Sequence, residues 1–172
     1  MKKKRIIWGS AVAVISAIII FILVYFEPQA LFIDKTAKED QKGKVIARVA
    51  PTATSQTSES STTPTTTLPA KSTWVSREHK TTGEVFLTQD NDGKTYVRFE
   101  NLSTDNGPDL KVYIAKSLSD NGTPSDFVDL GELVANKGDA NYLIPSDVNV
   151  SEYAHVVIWC KRFSVSFADA KI

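Results

Sequence analysis

Residues that bind metals or form covalent links are scarce in this chain, which has one cysteine, one methionine and two histidines among its 172 residues. A single cysteine excludes an intramolecular disulfide. Because the only methionine is Met1, an axial methionine ligand to copper or haem is excluded too. His155 and Cys160 are five residues apart, so one strand would point them to opposite faces. We therefore predict no cofactor, and the sequence argues against bound haem or copper.

Several motifs of classical enzymes are also missing. The sequence has no Cys-x-x-Cys-His haem attachment, no Gly-x-Ser-x-Gly elbow, no His-Glu-x-x-His and no phosphate-binding glycine loop. The net charge is zero, but residues 1–73 carry 10 Lys/Arg and 5 Asp/Glu, whereas residues 74–172 carry 10 and 15. The acidic C-terminal part offers no basic stripe for phosphates, so nucleic acid is not a predicted partner.

Two acidic turns, residues 90–93 and 105–109, contain enough oxygen ligands to suggest calcium. Neither matches the helix–loop–helix calcium motif. Asp, Asn and Gly are also the usual residues of tight turns, for backbone reasons. We interpret both segments as turns and predict no metal site.

The N-terminus predicts a membrane anchor. The basic residues 2–5 precede 21 uncharged residues, 6–26. At 1.5 Å per residue this run spans about 31 Å, close to the ~30 Å hydrocarbon core of a bilayer. A cleaved signal peptide is the alternative, but residues 28–30 (PQA) make a poor cleavage site. We therefore expect a single-pass protein of the cell membrane, with residues 1–5 as a cytoplasmic tail and the rest extracytoplasmic.

A linker is predicted for residues 27–73. Residues 34–49 mix charges without periodicity, and no secondary structure is predicted there. From residue 51 the composition is dominated by Thr, Ser and Pro, which cannot bury enough apolar surface to offset the entropy of ordering. We interpret this stretch as a disordered extracytoplasmic spacer.

Residues 74–172 read as an all-β domain. Alternating apolar segments are separated by turn residues, and Asp92-Gly93 is a hairpin signal between two of them. About seven or eight short strands without a long helical stretch predict an antiparallel β-sandwich or barrel. The predicted strands cover residues 82–88, 95–100, 110–115, 127–134, 141–144, 155–160 and 163–167. The predicted core residues are Trp74, Phe86, Phe99, Leu110, Val112, Ile114, Leu133, Val157 and Trp159.

Cys160 is the candidate reactive residue, because it ends an apolar strand immediately before Lys161 and Arg162. A buried strand, a tight return and a half-exposed strand would place the thiol at the mouth of the domain. Neighbouring positive charge favours the nucleophilic thiolate, and we expect Trp159 to pack beneath the sulfur. The alternative interpretation is that Cys160 is a small hydrophobic residue of the core.

Several blocks of the domain resemble the DM-13 family. They are residues 79–83 (HKTTG), 107–113 (GPDLKVY), 130–133 (LGEL) with 138–145 (GDANYLIP), and 156–168 (VVIWCKRFSVSFA). The resemblance covers residues 74–172, and the chain is similar to a membrane-anchored, bacterial-type member with a single domain. In animals and plants such domains occur beside DOMON and b-type cytochrome domains. The resemblance implies electron transfer or redox chemistry through a cysteine, whose motif position is Cys160.

Two functions follow from these observations. The first is an anchored extracytoplasmic redox module, rather than a stand-alone enzyme, in which Cys160 cycles through a sulfenic acid or a mixed disulfide. Since no cytochrome or DOMON segment is present in this sequence, we expect its redox partner to be a separate extracytoplasmic protein. The second is a non-catalytic binding or adhesion domain in which Cys160 is structural. Exposure of the sulfur distinguishes them.

Overall fold

The computed structural model describes residues 14–24, 33–46 and 71–172. Residues 14–24 form a helix, α1, inside the predicted span 6–26. Across the described ranges, no helix is both long enough and apolar enough to cross a membrane. The predicted tail 1–5, the two ends of the predicted span and the hydroxyl-rich residues 51–70 lie outside the described residues.

Two β-sheets make up the domain. The strands are β1 (Thr36–Lys38), β2 (Lys44–Val45), β3 (Ser72–Thr73), β4 (Val75–Ser76), β5 (Thr82–Gln89), β6 (Thr95–Ser103), β7 (Leu110–Leu118), β8 (Pro124–Glu132), β9 (Lys137–Leu143), β10 (His155–Cys160) and β11 (Val165–Lys171), with a short 3-10 helix at Val150–Glu152. The first sheet has the order β1-β9-β6-β5-β2, with β3 also pairing with β5; the second has the order β4-β11-β10-β7-β8. All pairs are antiparallel except β1–β9. The predicted all-β sandwich is consistent with this architecture, in which β5 to β11 correspond to the seven predicted strands.

The core lies between the sheets, where alternate residues of each strand point inward. Five predicted core residues belong to this main cluster: Trp74, Phe99, Leu110, Val112 and Ile114. Leu133 packs against its edge, and Phe86 is buried outside it. Val157 and Trp159 instead form a smaller cluster on the other face of the second sheet, because they alternate with the inward residues of β10.

The predicted turns explain how the long strands are connected. The β5–β6 hairpin turns at residues 90–94, where Gly93 has a φ of +79° and its amide donates to the Asp90 carbonyl at 3.1 Å. The last strand differs from its prediction, because residues 161–164 form a turn in which Ser164 has a φ of +54°. Phe163 therefore lies in the turn rather than in β11, and is 59% exposed.

Residues 33–46, which we call the strap, belong to the first sheet although they lie within the predicted linker 27–73. Through β1 and β2 the strap pairs with β9 and β5. The Lys137 amide donates to the Lys35 carbonyl, and the Glu39 amide to the Asp139 carbonyl, each at 3.1 Å. The domain is therefore held by residues that precede the hydroxyl-rich segment as well as by those that follow it.

The strap also covers a buried charge. Arg98, on β6, alternates with core residues and would face solvent if its sheet were uncovered. Its side chain is only 4% exposed, and its Nη1 donates to the Glu39 carbonyl of the strap at 2.6 Å. Glu100 and Asp139 lie 3.6 and 3.5 Å from the guanidinium. Removing the strap would expose this guanidinium and take away the carbonyl that Nη1 contacts, while Nε, which is buried, has no hydrogen-bond partner even in the intact fold.

Candidate functional site

Cys160 is the last residue of β10 and points into the main core with no exposed surface. It lies opposite Leu110 of β7 and Val165 of β11. Its Sγ donates to the Pro108 carbonyl at 3.2 Å. The structure thus differs from the expected place of the thiol at the mouth of the domain, because the turn at residues 106–109 folds over the sulfur and covers it.

The other residues proposed around the thiol are arranged differently from the prediction. Trp159 does not pack beneath the sulfur, since neighbouring residues of a strand point to opposite faces; it packs with Tyr113, Ala115 and Val157. Lys161 and Arg162 are exposed in the β10–β11 turn, whereas the Cys160 side chain points inward. The Lys161 amide donates to the Asp109 carbonyl at 3.0 Å, which fixes the turn over Cys160.

A polar cavity of about 550 Å³ opens above this turn. Its lining residues are Ile33, Lys35, Asn106, Gly107, Pro108, Asp109, Leu110, Glu132, Leu133, Ala135, Asn136 and Arg162. The cavity therefore brings together the strap, the 106–109 turn, the β8–β9 loop and the β10–β11 turn. Its Pro108 wall also provides the carbonyl acceptor of the thiol, so one residue separates the cavity from the sulfur.

Charges near the cavity are arranged in ion pairs. Lys111 lies 3.2 Å from both Asp109 and Glu132. Burial opposes the charge of Lys111, but the contacts with Glu132 and Asp109 prevail and raise its pKa. Hydrogen bonds from Lys137 and Asn136 hold the pKa of Asp34 below its usual value. The acidic groups near the cavity are thus largely compensated.

Hydrogen bonds to neighbouring residues hold the β8–β9 loop, residues 133–136, in place. The Tyr142 hydroxyl accepts a hydrogen bond from the Val134 amide at 3.2 Å, and burial raises the pKa of Tyr142 to about 12. The Asn136 side chain donates to the Thr104 carbonyl at 3.1 Å. Both contacts connect the loop to the first sheet, through β9 and the residue that follows β6, and so support the wall of the cavity on this side.

The two histidines do not meet the thiol. His79 lies with its Nδ1 2.9 Å from Asp105 Oδ2, and its ring lies 3.8 Å from the Phe167 ring. His155 is at the far end of β10 from Cys160, and burial lowers its pKa. In the described part of the chain, no three His, Cys, Asp or Glu residues cluster as metal ligands would.

The acidic turns have internal partners. Asp90 Oδ1 accepts from the amides of Asp92 and Lys94 at 3.0 and 2.9 Å, and Oδ2 accepts from the Tyr96 hydroxyl at 3.1 Å. In the second turn, Asp109 adopts a φ of +61°. The Asp90 carboxylate therefore stabilises its own turn, whereas the Asp109 carboxylate pairs with Lys111.

Three residues of the site were not identified from sequence. Pro108 acts through its backbone carbonyl, which has no side-chain signature. Gly107 packs so closely that an added Cβ would lie 2.7 Å from Phe167 and 3.0 Å from Leu110. Phe167 thereby supports the turn from the core. The Asn-Gly-Pro-Asp signal located the turn, but only the fold shows that it covers Cys160.

Comparison with known proteins gives one match. A family model described as "Electron transfer DM13" matches residues 73–172, more than half of the chain. No curated protein and no solved structure matches significantly. The match covers strands β4 to β11 and the Cys160 region, and its description suggests a redox-related role. The chain therefore belongs to the DM13 family of electron transfer domains.

Proposed function

We propose that the chain is a membrane-anchored, extracytoplasmic redox module in which Cys160 is a protected thiol that reacts when the 106–109 turn moves. The observation that carries this proposal is the position of the sole cysteine. Its sulfur lies directly beneath a wall of the polar cavity and donates to that wall at Pro108. A partner group bound in the cavity would need to displace only this short turn to reach the sulfur.

The anchor is supported by the sequence. Residues 6–26 are uncharged and follow a basic cluster, and helix α1 lies within them. This arrangement favours a single span with a cytoplasmic N-terminus. The domain then faces a compartment in which disulfides persist, and an exposed unpaired thiol there would be oxidised. Covering Cys160 would protect it between reactions.

The chemistry we propose is thiol–disulfide exchange with an extracytoplasmic partner protein. After the turn opens, Cys160 loses its proton to water, and the thiolate attacks a disulfide sulfur of the partner. A sulfur–sulfur bond forms to Cys160 as the partner bond breaks, and the released partner thiolate takes up a proton. A thiol of a second protein loses its proton to water, and its thiolate attacks the partner sulfur of the mixed disulfide. The Cys160 thiolate is released, and that partner sulfur leaves in a new disulfide with the second protein.

Lys161 and Arg162 act differently in this proposal from their predicted role. The Lys161 amide holds the turn through Asp109, and Arg162 lines the cavity. Positive charge at the rim would favour a thiolate only after the turn has opened and the sulfur is near solvent. In the closed state the Cys160 thiol donates a hydrogen bond to the Pro108 carbonyl and is covered by the turn.

The test is the alkylation rate of Cys160 in the full chain, measured over a urea series below the unfolding transition. Local opening gives a rate that is nearly independent of urea at low concentration, because little surface is exposed. Gly107→Ala should accelerate alkylation, since the new Cβ meets Phe167 and Leu110 and displaces the turn. Gly131→Ala is the control for a general loss of stability, because its φ of +109° strains an alanine whereas the added Cβ meets nothing within 4 Å, so it should not accelerate alkylation at low urea.

A non-catalytic binding domain remains the second candidate, and the complete burial of Cys160 in the core favours it. In that case alkylation would follow global unfolding, with the full urea dependence of the unfolding free energy. Gly107→Ala would then change the rate only as far as it changes global stability. That pattern would overturn the redox proposal.

A further inference from the structure

The β10–β11 turn carries an exposed cluster that the thiol chemistry does not use in the closed state. Lys161, Arg162 and Phe163, which we call the basic tip, are all exposed, and Phe163 is 59% exposed. The basic tip thus places an exposed aromatic ring beside two cations at the end of a hairpin. Scattered exposed hydrophobic residues are normal, so the surroundings of the tip matter.

Two further exposed apolar residues lie at the same end of the domain. Ile33 is 57% exposed and Val134 is 52% exposed. Ile33 and Arg162 line the same cavity, together with the neighbours of Val134 in the β8–β9 loop. This end therefore combines three apolar side chains with the cations of the tip.

The path of the chain brings this end close to the predicted membrane span. Ile33, the first described residue of the strap, follows Phe26 by seven residues. At full extension that length spans about 25 Å at most. Arg162 also lines a surface cleft with Ala17, Ile20, Phe21 and Val24 of helix α1, which lies within the predicted span. Since Ile33 and Arg162 share one cavity, the tip lies at the end of the domain where the chain arrives from the predicted span.

The chemistry of the tip matches a bilayer surface. Aromatic side chains favour the interface between hydrocarbon and headgroups, and Lys and Arg are attracted to anionic phosphates. The acidic groups nearby would oppose this, but Asp34 pairs with Lys137, and Asp109 and Glu132 both pair with Lys111. The two lysines offset two of these three carboxylate charges.

We infer that the basic tip docks the domain onto the outer surface of its own membrane, with Phe163 in the interface and Lys161 and Arg162 on anionic lipid phosphates. The inference rests on the anchor of the proposed function, but it is independent of Cys160 chemistry. Docking holds the cavity at the membrane surface, so partners of this site would be membrane-bound or lipid-soluble molecules.

The experiment uses the full chain in lipid nanodiscs of phosphatidylcholine, with or without phosphatidylglycerol. An environment-sensitive dye is attached to Ser164→Cys beside the tip, and to Asp92→Cys in the β5–β6 turn as a control. Asp92 lies at the opposite end of the first sheet from Lys137 and Ser103, and Lys137 bonds to Lys35 at the start of the strap, which lines one cavity with Arg162. Wild-type protein treated in parallel corrects for labelling of the buried Cys160.

With phosphatidylglycerol, we expect a nitroxide-bearing lipid to quench the dye at position 164 but not the dye at position 92. Quenching at position 164 should decrease at high salt. Each cation contributes about fivefold, so Lys161→Gln with Arg162→Gln should lower the ratio of docked to undocked domains by ~30-fold. Phe163→Ser should also lower quenching. The dye spectra in detergent provide the undocked reference.

Three results would overturn the inference. Equal quenching at positions 164 and 92 would show that the tip does not face the lipid. If the tip substitutions do not change quenching at position 164, other residues make the contact with lipid. A blue shift of the dye that grows with protein concentration in detergent would indicate that the tip contacts a second copy of the chain. Failure of the chain to co-elute with the discs would refute the anchor and this inference together, whereas Cys160 alkylation tests the redox proposal separately.

Discussion

Gly138 determines whether the strap can pair with the domain. It lies in β9 opposite Ala37 of β1, with a φ of +96°. A Cβ at this position would lie 2.0 Å from the Ala37 carbonyl oxygen, a distance at which the two strands cannot remain paired. We therefore expect Gly138→Ala to detach β1 from β9 without removing any charged or apolar group.

The expected cost has two parts. The first is the strain of an alanine at positive φ, about 1–2 kcal/mol. The second is the loss of strap contacts: the hydrogen bonds of Lys35 and Glu39 to β9, and the contact of Arg98 with the Glu39 carbonyl. At about 1 kcal/mol for each hydrogen bond, this adds roughly 2–4 kcal/mol.

Gly93→Ala is the matched control, because Gly93 also has a positive φ but a Cβ there meets nothing within 4 Å. It should show only the strain. Urea unfolding of the full chain in detergent measures both free energies, and amide exchange reports on the strap itself. Equal losses for the two variants, or unchanged protection of the Glu39 amide in Gly138→Ala, would refute the described role of the strap.

Three further predictions concern buried polar groups. Cys160→Ser should lower the free energy of unfolding by about 1–3 kcal/mol, because the shorter C–O bond leaves the buried hydroxyl poorly placed for its acceptor; a urea titration showing under ~0.5 kcal/mol would contradict this. Burial lowers the pKa of His155 from 6.5, so below about pH 6.5 the unfolded chain binds a proton that the folded chain does not, and the free energy of unfolding falls. His155→Gln should reduce this fall when the free energy of unfolding is measured between pH 7.5 and 5.5. An unchanged dependence on pH would contradict the prediction. Asp169→Asn breaks a 2.5 Å ion pair between Arg77 and the Asp169 carboxylate, which is 6% exposed, and should lower the free energy of unfolding by about 1–3 kcal/mol. Glu152→Gln breaks an exposed pair with Lys116 and should lower it by under ~1 kcal/mol. Similar shifts in melting temperature for the two variants would refute the comparison.

Local patterns predicted most of the sandwich. The strands β5, β6, β7 and β10 were predicted because alternation and flanking turn residues are encoded within each segment. The same alternation separates Cys160 from Trp159, so the packing of Trp159 beneath the sulfur was wrong for a reason that the sequence already contained. The start of β11 was misplaced because the positive φ of Ser164 depends on the turn rather than on the apolar residues.

The missed features depend on long-range contacts. Cys160 meets the Pro108 carbonyl across 52 residues of sequence, and this contact decides whether the thiol is covered. Strand β1 of the strap pairs with β9, about 100 residues further along the chain. The strap strands β1 and β2 are only three and two residues long. Such short, charged segments have no periodicity to detect. The sequence did not predict the burial of Arg98 either, because the strap that covers it lacks a detectable pattern.

Both β2 and β3 lie on the same edge of β5, where Val45 pairs with Thr88 and Ser72 with Val85. Three strand residues span about 10 Å, so the segment from residue 46 to 71 begins and ends at neighbouring points of one edge. If the proposed anchor holds the domain at a membrane, the length of this segment does not set the distance between the two. A proteolytic cut within it would change the covalent connectivity only, because the piece that carries the proposed anchor stays joined to the rest through β1–β9 and β2–β5 pairing. Shedding of the domain after such a cut would require the strap to be pulled out of the sheet, and the mechanical resistance of those few strand pairs would determine its rate.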